Sequence, residues 1–185
     1  EEALKEEIGV DELFGESGFS YLEQTWARPT LEVNGVFGGF SGEGIKTVLP
    51  AEAGAKITCR LVPNQDPDEI VSLLRQHIEK HKPAGVDITI AEFDKGAPFL
   101  TPFDHPVIQA AGRSYEKIYQ VPTAFIRGGG SIPIVASFDQ ILGLPVVLMG
   151  FGLNSENFHA PNEHFHLENF DKGLRVLGDY LHEIA

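Results

Sequence analysis

The sequence predicts an α+β unit, an antiparallel sheet with helices on one face, followed by part of an α/β domain. Within residues 30–92, short alternating apolar segments surround one strongly amphipathic helical segment. Pro98, Pro102 and Pro106 then interrupt the chain, which favours a domain boundary near residues 100–105. After these prolines, segments of helix length and strand length alternate. A chain of 185 residues suffices for one ordinary domain or two small ones.

The first predicted unit combines short helices, several strands and one long helix. Asp66-Pro67 provides a helix cap followed by proline in the first turn, and apolar residues recur after it at helical spacing. The strand around Cys59 alternates apolar and polar residues, which makes Cys59 a predicted small core residue. The predicted elements are two helices within 1–28, a strand over 30–33 ended by an Asn34-Gly35 turn, a glycine-rich loop over 36–44, strands over 46–49 and 55–62, a helix over 66–82 and a strand over 86–90.

The second predicted unit alternates helices and strands, which is typical of a parallel or mixed α/β layer. In such layers, ligands bind at the carboxyl ends of the strands. The predicted elements are a helix over 106–119, a strand over 122–126, a helix over 131–142, a strand over 145–149 and a helix over 167–184.

The composition excludes several classes of function. The chain has 14 basic and 27 acidic side chains and a net charge of −13, which repels phosphate backbones and anionic lipid. We therefore expect neither a nucleic-acid partner nor a membrane partner, and no apolar run approaches the roughly 20 residues of a membrane span. The single cysteine, Cys59, excludes an intrachain disulfide and a cysteine-rich zinc module. This cysteine usage favours a reducing compartment, and we expect the cytoplasm.

The chain begins at Glu1-Glu2 with neither an initiator methionine nor a signal peptide. We therefore expect it to be the later part of a longer polypeptide.

The segment Arg127–Pro133 is the first candidate site. A predicted strand runs into three glycines, then Ser131 and a proline at the start of a helix. Glycine N–H groups and a helix N-terminus suit a carboxylate or phosphate, and Arg127 adds positive charge. A tight turn without function, with Ser131 as a helix cap, remains the alternative.

The segment after the strand at 145–149 is the second candidate site, because His159 and Glu163 occur there with two more histidines, His164 and His166. Histidine and carboxylate side chains at the carboxyl end of a strand are plausible metal ligands. The spacing does not match the His-Glu-x-x-His motif of zinc peptidases. Polar loop residues that hydrogen-bond the backbone are an equally good interpretation.

Thr47 and Arg60, predicted on neighbouring strands of the first unit, form a third set. Arg60 lies on the polar side of its strand and could bind a carboxylate through two hydrogen bonds. Most strand arginines are solvated surface residues, so this alternative stays open. The four remaining histidines occur in helical or boundary positions and are interpreted as structural: His77, His81, His105 and His182.

Seven short motifs resemble, in order, the later half of the M20 metallopeptidases, with the cytosolic dipeptidase and carnosinase-like branch as the nearest. The resemblance covers about 160 residues. The motifs are Trp26-Ala-Arg-Pro-Thr30, Asn34-Gly35, Gly42-Glu-Gly44, Lys46-Thr-Val-Leu-Pro50, Arg60-Leu-Val-Pro63, Arg127-Gly-Gly-Gly-Ser-Ile-Pro133 and His159-Ala-Pro-Asn-Glu163.

The resemblance implies the architecture and activity of the longer protein. Residues 1–102 look like a lid domain that forms a homodimer and lacks its first strand and helix. Residues 103–185 look like the C-terminal part of a catalytic domain. Such enzymes hydrolyse short peptides with a free carboxylate, using a water that bridges two zinc or manganese ions.

The resemblance also implies roles for individual residues. His159 matches the last metal ligand of the family. Ser131 with Gly129 and Gly130 matches the loop that binds the substrate carboxylate. Thr47 and Arg60 match lid residues that contact the substrate.

The departures from the family pattern limit what this chain is expected to do alone. The general base and the other metal ligands of the family precede the lid, so no catalytic residue is assigned here. We expect the isolated 185 residues to be inactive and to bind no metal tightly, since a catalytic zinc usually needs three protein ligands. Gly128 stands where the family commonly has glutamate, which alters the Arg127 loop.

Three alternatives remain for the function of the longer protein. It could be a non-catalytic dimerisation or binding module of the same fold. It could also be an M20 deacylase of N-acyl amino acids, or an enzyme that removes a terminal amino acid from a longer substrate.

Overall fold

The computed structural model describes residues 1–128 and 132–185. The chain divides into two compact units: Glu1–Phe99 with Arg127–Pro133, and Leu100–Ile126 with Ile134–Ala185. Across the described residues, no helix is both long enough and apolar enough to cross a bilayer.

The described residues form a two-stranded antiparallel sheet and six α-helices. In the first unit these are α1 (Glu2–Ile8), α2 (Tyr21–Ala27), β1 (Thr30–Gly38), β2 (Ala53–Arg60) and α3 (Pro67–His81). They are followed by α4 (Pro106–Tyr119), α5 (Pro133–Leu142), a 3₁₀ turn (Asn154–Glu156) and α6 (Leu167–Ile184). The predicted helices over 106–119 and 167–184 are confirmed at both ends, and the predicted helix over 131–142 is described from Pro133.

Strands β1 and β2 pair in a register that brings Leu31 opposite Cys59 and Thr30 opposite Arg60. The predicted turn at Asn34-Gly35 is wrong, because β1 continues to Gly38. The register shifts between Val33 and Gly35, so Asn34 is the extra residue of a β-bulge. An Asn-Gly pair is compatible with a turn and with a bulge, and the pairing of β1 with β2 favours the bulge here. Cys59 is only partly buried, so its prediction as a core residue is wrong.

Four predicted strands, over residues 46–49, 86–90, 122–126 and 145–149, are not strands in the structure. A strand requires a neighbour that accepts and donates its main-chain hydrogen bonds, and these segments have none within the described residues. Side chains bond to some of their main-chain groups instead, as when Thr101 Oγ1 donates to the Val146 carbonyl at 2.9 Å. The predicted parallel or mixed sheet of the second unit is therefore absent from residues 1–128 and 132–185.

The caps predicted from the sequence position helix α3. The Asp66 carboxylate accepts hydrogen bonds from the main-chain N–H groups of Asp68 at 2.9 Å and Glu69 at 3.0 Å. Pro67 occupies the first turn, where its missing N–H has no helical partner to lose.

Helices α4 and α6 form the core of the second unit. Their buried residues are mostly small: Ala110, Ala111, Gly112 and Ser114 of α4, and Gly173 and Val176 of α6. Arg113 bonds Glu183 at 2.7 Å, and Lys117 pairs with Asp179. From the first ion pair to the second, the residue number rises along α4 and falls along α6, so the two helices run antiparallel.

Candidate functional site

The segment that carries His159, residues 150–166, is called here the His159 loop. Helix α4 holds its start, because Tyr115 donates from its hydroxyl to the Gly150 carbonyl at 2.9 Å. The Tyr115 ring also stacks on Phe151, with 5.3 Å between the ring centroids. Burial, together with the neighbouring Tyr119, raises the pKa of Tyr115 to about 12, so its hydroxyl remains a proton donor at neutral pH.

Helix α6 contacts the same start of the loop through a glycine. A Cβ atom at Gly173 would lie 3.1 Å from the Phe151 ring, which is closer than ordinary van der Waals contact. A glycine at this position therefore lets Phe151 pack directly on the α6 backbone. The loop is thus held by both helices of the second unit's core.

Glu156 lies at the centre of the loop and is fully buried, at 0% exposure. Its Oε2 accepts from the Leu153 N–H at 2.8 Å, and its Oε1 accepts from the His166 N–H at 2.8 Å. The His166 ring adds a third contact, with 2.6 Å between Nδ1 and Oε1. Burial acts to raise the pKa of Glu156, but these hydrogen bonds outweigh it and lower the pKa to about 2. The carboxylate is therefore ionised at neutral pH, and His166 Nδ1 carries the proton between them.

His159 lies in an exposed turn of the loop with a left-handed backbone, φ 59°. Asn157 and Asn162 have φ values of 55° and 63°, so three non-glycine residues in six positions take this uncommon conformation. The Ala160 N–H donates to the Asn157 carbonyl at 3.0 Å within the turn. Among the described residues, no side chain or main-chain group is hydrogen-bonded to the His159 ring, so the imidazole is available to a ligand.

The other histidines of the second candidate site serve the loop itself. His164 Nδ1 lies 3.0 Å from the Asn162 carbonyl, and His166 binds Glu156. The alternative interpretation, polar loop residues that hydrogen-bond the backbone, therefore holds for His164, whereas the His166 ring contacts a side chain of the loop. No group of three or more His, Cys, Asp or Glu side chains in the described ranges could hold a metal ion. The assignment of His159 as a metal ligand therefore remains a prediction.

Thr47 and Arg60 both belong to the first unit. Thr47 lies in the exposed irregular segment between β1 and β2, so its predicted place on a strand is wrong. Arg60 lies on a strand, as predicted, and is exposed, but β2 ends at this residue and not at the predicted residue 62. Its main-chain N–H donates to Thr30 Oγ1 at 3.3 Å, which fixes the end of the strand against β1.

Gly129, Gly130 and Ser131 lie outside the described residues. Beside them, Arg127 is exposed, and α5 begins at Pro133. Their assignment as a carboxylate-binding loop therefore remains a prediction.

Sequence reasoning missed two residues that shape the His159 loop, Glu156 and Tyr115. A lone glutamate among Asn154, Ser155 and Asn157 reads as a solvated loop residue, and its partners lie three and ten positions away. No periodic signal marks such contacts. The hint that the sequence offered for Tyr115 was an aromatic residue one turn after the small residues Ala110-Ala-Gly112 of the same helix.

A family model described as peptidase family M20/M25/M40 matches residues 3–183. The chain belongs to this family. The resemblance seen in the short motifs is therefore confirmed over nearly the whole M20 chain.

Characterised relatives of this M20 chain carry peptidase names. The Cys-Gly metallodipeptidase dug1 of Schizosaccharomyces pombe is 32% identical over 187 residues, covering 100% of this chain and 39% of the relative. The human Beta-Ala-His dipeptidase is 27% identical, covering 89% of this chain and 34% of the relative. The crystal structure of the M20 metallo-carboxypeptidase Sso-CP2 from Sulfolobus solfataricus matches with a TM-score of 0.85 and 31% identity, covering 100% of this chain and 42% of that one. The chain thus spans less than half the length of these relatives.

Proposed function

We propose that the full-length gene product containing this chain is a metal-dependent dipeptidase that hydrolyses short peptides with a free carboxylate. The observation that carries the proposal is the similarity to a metallodipeptidase over 100% of this chain. The exposed His159 ring, which has no hydrogen-bond partner among the described residues, is consistent with a metal ligand. The single cysteine is consistent with a reducing, cytoplasmic setting.

In this proposal, residues 1–102 belong to a lid domain that forms a homodimer, and residues 103–185 belong to the catalytic domain. The antiparallel pair β1–β2 and helix α3 are the lid elements. The packed pair α4–α6 and the His159 loop are the catalytic-domain elements.

The residues of the chain take separate roles. His159 is one ligand of a site for two divalent ions, zinc or manganese, which would activate water and polarise the scissile carbonyl. Arg60 binds the substrate carboxylate through two parallel hydrogen bonds, a geometry that lysine cannot reproduce. Thr47 contacts the substrate from the lid, and Gly129, Gly130 and Ser131 bind its carboxylate end.

The isolated chain is proposed to be inactive. A catalytic zinc usually has three protein ligands, and the described residues offer no such group. The remaining ligands and the general base would come from the part of the relatives' length that this chain does not span.

A carboxypeptidase is the second candidate function. The specific observation in its favour is the structural match to Sso-CP2, whose printed name is metallo-carboxypeptidase, at 31% identity and a TM-score of 0.85. The two activities differ in the length of substrate that they accept, not in the bond cleaved.

The test is hydrolysis by the full-length gene product after chelation and readdition of zinc or manganese. The panel contains Cys-Gly, β-Ala-His, tri- and pentapeptides, and N-acyl amino acids. Metal-restored cleavage of dipeptides alone supports the dipeptidase, and release of C-terminal residues from pentapeptides supports the carboxypeptidase. If metal binds and N-acyl amino acids are the only substrates, the protein is a deacylase. If no metal binds, it is a non-catalytic module.

His159→Ala identifies the contribution of this chain. We expect turnover to fall below about a tenth of the wild-type value, because a metal ligand is lost. The matched control is His164→Ala, an exposed histidine of the same loop that contacts the Asn162 carbonyl. Equal activity in both variants would refute the ligand assignment.

A further inference from the structure

The carboxylate of Glu156 makes more hydrogen bonds than is usual for an acidic residue in a loop. It is fully buried, and burying a carboxylate is costly unless it is hydrogen-bonded. Three donors surround it: two main-chain N–H groups, at Leu153 and His166, and the His166 ring. Within the part of the chain that the structure describes, the loop itself satisfies the carboxylate, and no lysine or arginine contacts it.

These contacts connect Leu153, near the start of the His159 loop, with His166 at its end. Leu153 precedes the turn that carries His159, and His166 is the residue that caps helix α6. The main-chain carbonyl of Glu156 also accepts from the His164 N–H at 3.1 Å. One residue thus uses its side chain and its backbone to close a loop of about a dozen residues. The position suits a negative charge, since a helix N-terminus carries partial positive charge.

The turn that Glu156 closes has an uncommon backbone. Asn157, His159 and Asn162 all have positive φ values, which non-glycine residues maintain only where the surrounding structure imposes them. Within the turn itself, the Ala160–Asn157 hydrogen bond contributes, and the main-chain and side-chain bonds of Glu156 supply the rest of the closure.

We propose that Glu156 is a positioning residue that holds the His159 turn in its left-handed conformation and so fixes the direction of the His159 ring. The consequence for catalysis rests on the proposed function, in which His159 is a ligand. Glu156 does not touch substrate or metal in this inference. It acts through the backbone of the loop, with His166 as its partner.

The test compares Glu156→Gln with Glu168→Gln in the full-length gene product. Both variants remove one negative charge, but Glu168 is exposed, and its carboxylate pairs with Lys172 at 2.6 Å in the first turns of α6. In Glu156→Gln, an amide N–H₂ must face one of the N–H donors, so at least one hydrogen bond is lost.

The first readout is hydrogen exchange of the metal-free protein, measured by mass spectrometry on peptides covering residues 153–166. We expect exchange to rise about tenfold or more in Glu156→Gln, because a hydrogen bond to a charged group is lost. Peptides from α4, and the control variant, should stay at the wild-type rate. Unchanged exchange over 153–166 would overturn the proposal.

The second readout is steady-state kinetics with the dipeptide on which the wild type is most active. We expect kcat to fall about tenfold to a hundredfold in Glu156→Gln with KM little changed, which is typical when a ligand loses its support. A purely structural role would lower the amount of folded protein and leave kcat per folded molecule intact, and that result would also overturn the proposal.

Two further variants separate the possible failures. If His159→Ala keeps full activity, the proposed function fails, whatever Glu156→Gln does. If His159 is essential but Glu156→Gln behaves as wild type, the positioning role alone fails. Should Glu156→Gln not fold, His166→Ala replaces it, since it removes the ring contact with Glu156 and keeps the main-chain N–H of residue 166 as a donor. Exchange and kcat must then change in the same directions by a smaller factor, and no change refutes the proposal.

Discussion

Arg60 and Lys56 lie on the same face of β2 and carry the same charge, which allows the proposed role of Arg60 to be tested. We expect Arg60→Gln to raise KM for dipeptides by about tenfold to a hundredfold, because hydrogen bonds to a charged carboxylate are lost. Lys56→Gln should change KM less than about twofold, because a distant surface charge is screened. Steady-state kinetics on the full-length gene product check both values, and equal effects would show that only charge matters.

Glu156 also predicts a pH dependence of stability. Its pKa is about 2 in the folded chain and its ordinary value is 4.5, so the folded state favours the ionised form. This contribution is fully present above the ordinary pKa and is lost as pH falls towards the folded value. The thermal midpoint of wild type should therefore exceed that of Glu156→Gln most clearly above pH 5. The difference should narrow on acidification, and a constant difference would contradict the assignment.

At the scale of elements, we expect the packing of α4 against α6 to contribute strongly to the stability of the second unit. Val176 is fully buried at 0% exposure, and removing two of its methyl groups leaves a cavity against α4. We expect Val176→Ala to lower the free energy of unfolding by about 2 kcal/mol. The same substitution at Val121, 59% exposed in the same unit, should cost less than about 0.5 kcal/mol. Urea unfolding measures both, and a similar loss at the two sites would show that α4–α6 packing is not what stabilises the unit.

At the scale of the whole molecule, much apolar surface is exposed. Helix α6 buries one side against α4 and exposes an apolar stripe on the other: Leu167, Phe170, Leu174, Leu177 and Leu181. We expect the isolated 185-residue chain to form dimers or larger species through such surfaces. Its net charge of −13 opposes association, so added salt should strengthen it. A monomer in light scattering at all protein and salt concentrations would contradict this.

Several helices and one strand could be predicted from the sequence. Helix α3 follows from the Asp66-Pro67 cap and its apolar spacing, and α4 and α6 from the same kind of spacing. The alternation of β2 around Cys59 placed Arg60 on the polar face. The short motifs identified the M20 family before any fold was known. The helices, the strand and each single motif depend on residues within a few positions of one another, and the order of the motifs is part of the sequence itself, so the sequence alone determined them.

The tertiary structure alone decided which contacts those elements make. The succession of helix-length and strand-length segments predicts strands over 122–126 and 145–149, yet a strand exists only where a neighbour pairs with it. Asn34-Gly35 was compatible with a turn, and pairing with β2 made it a bulge. The sequence around Glu156 is typical of a solvated glutamate, but in the structure the main-chain N–H groups of Leu153 and His166 bind its buried carboxylate. Burial and pairing depend on residues that are distant in the chain, and a single sequence does not state which of them meet.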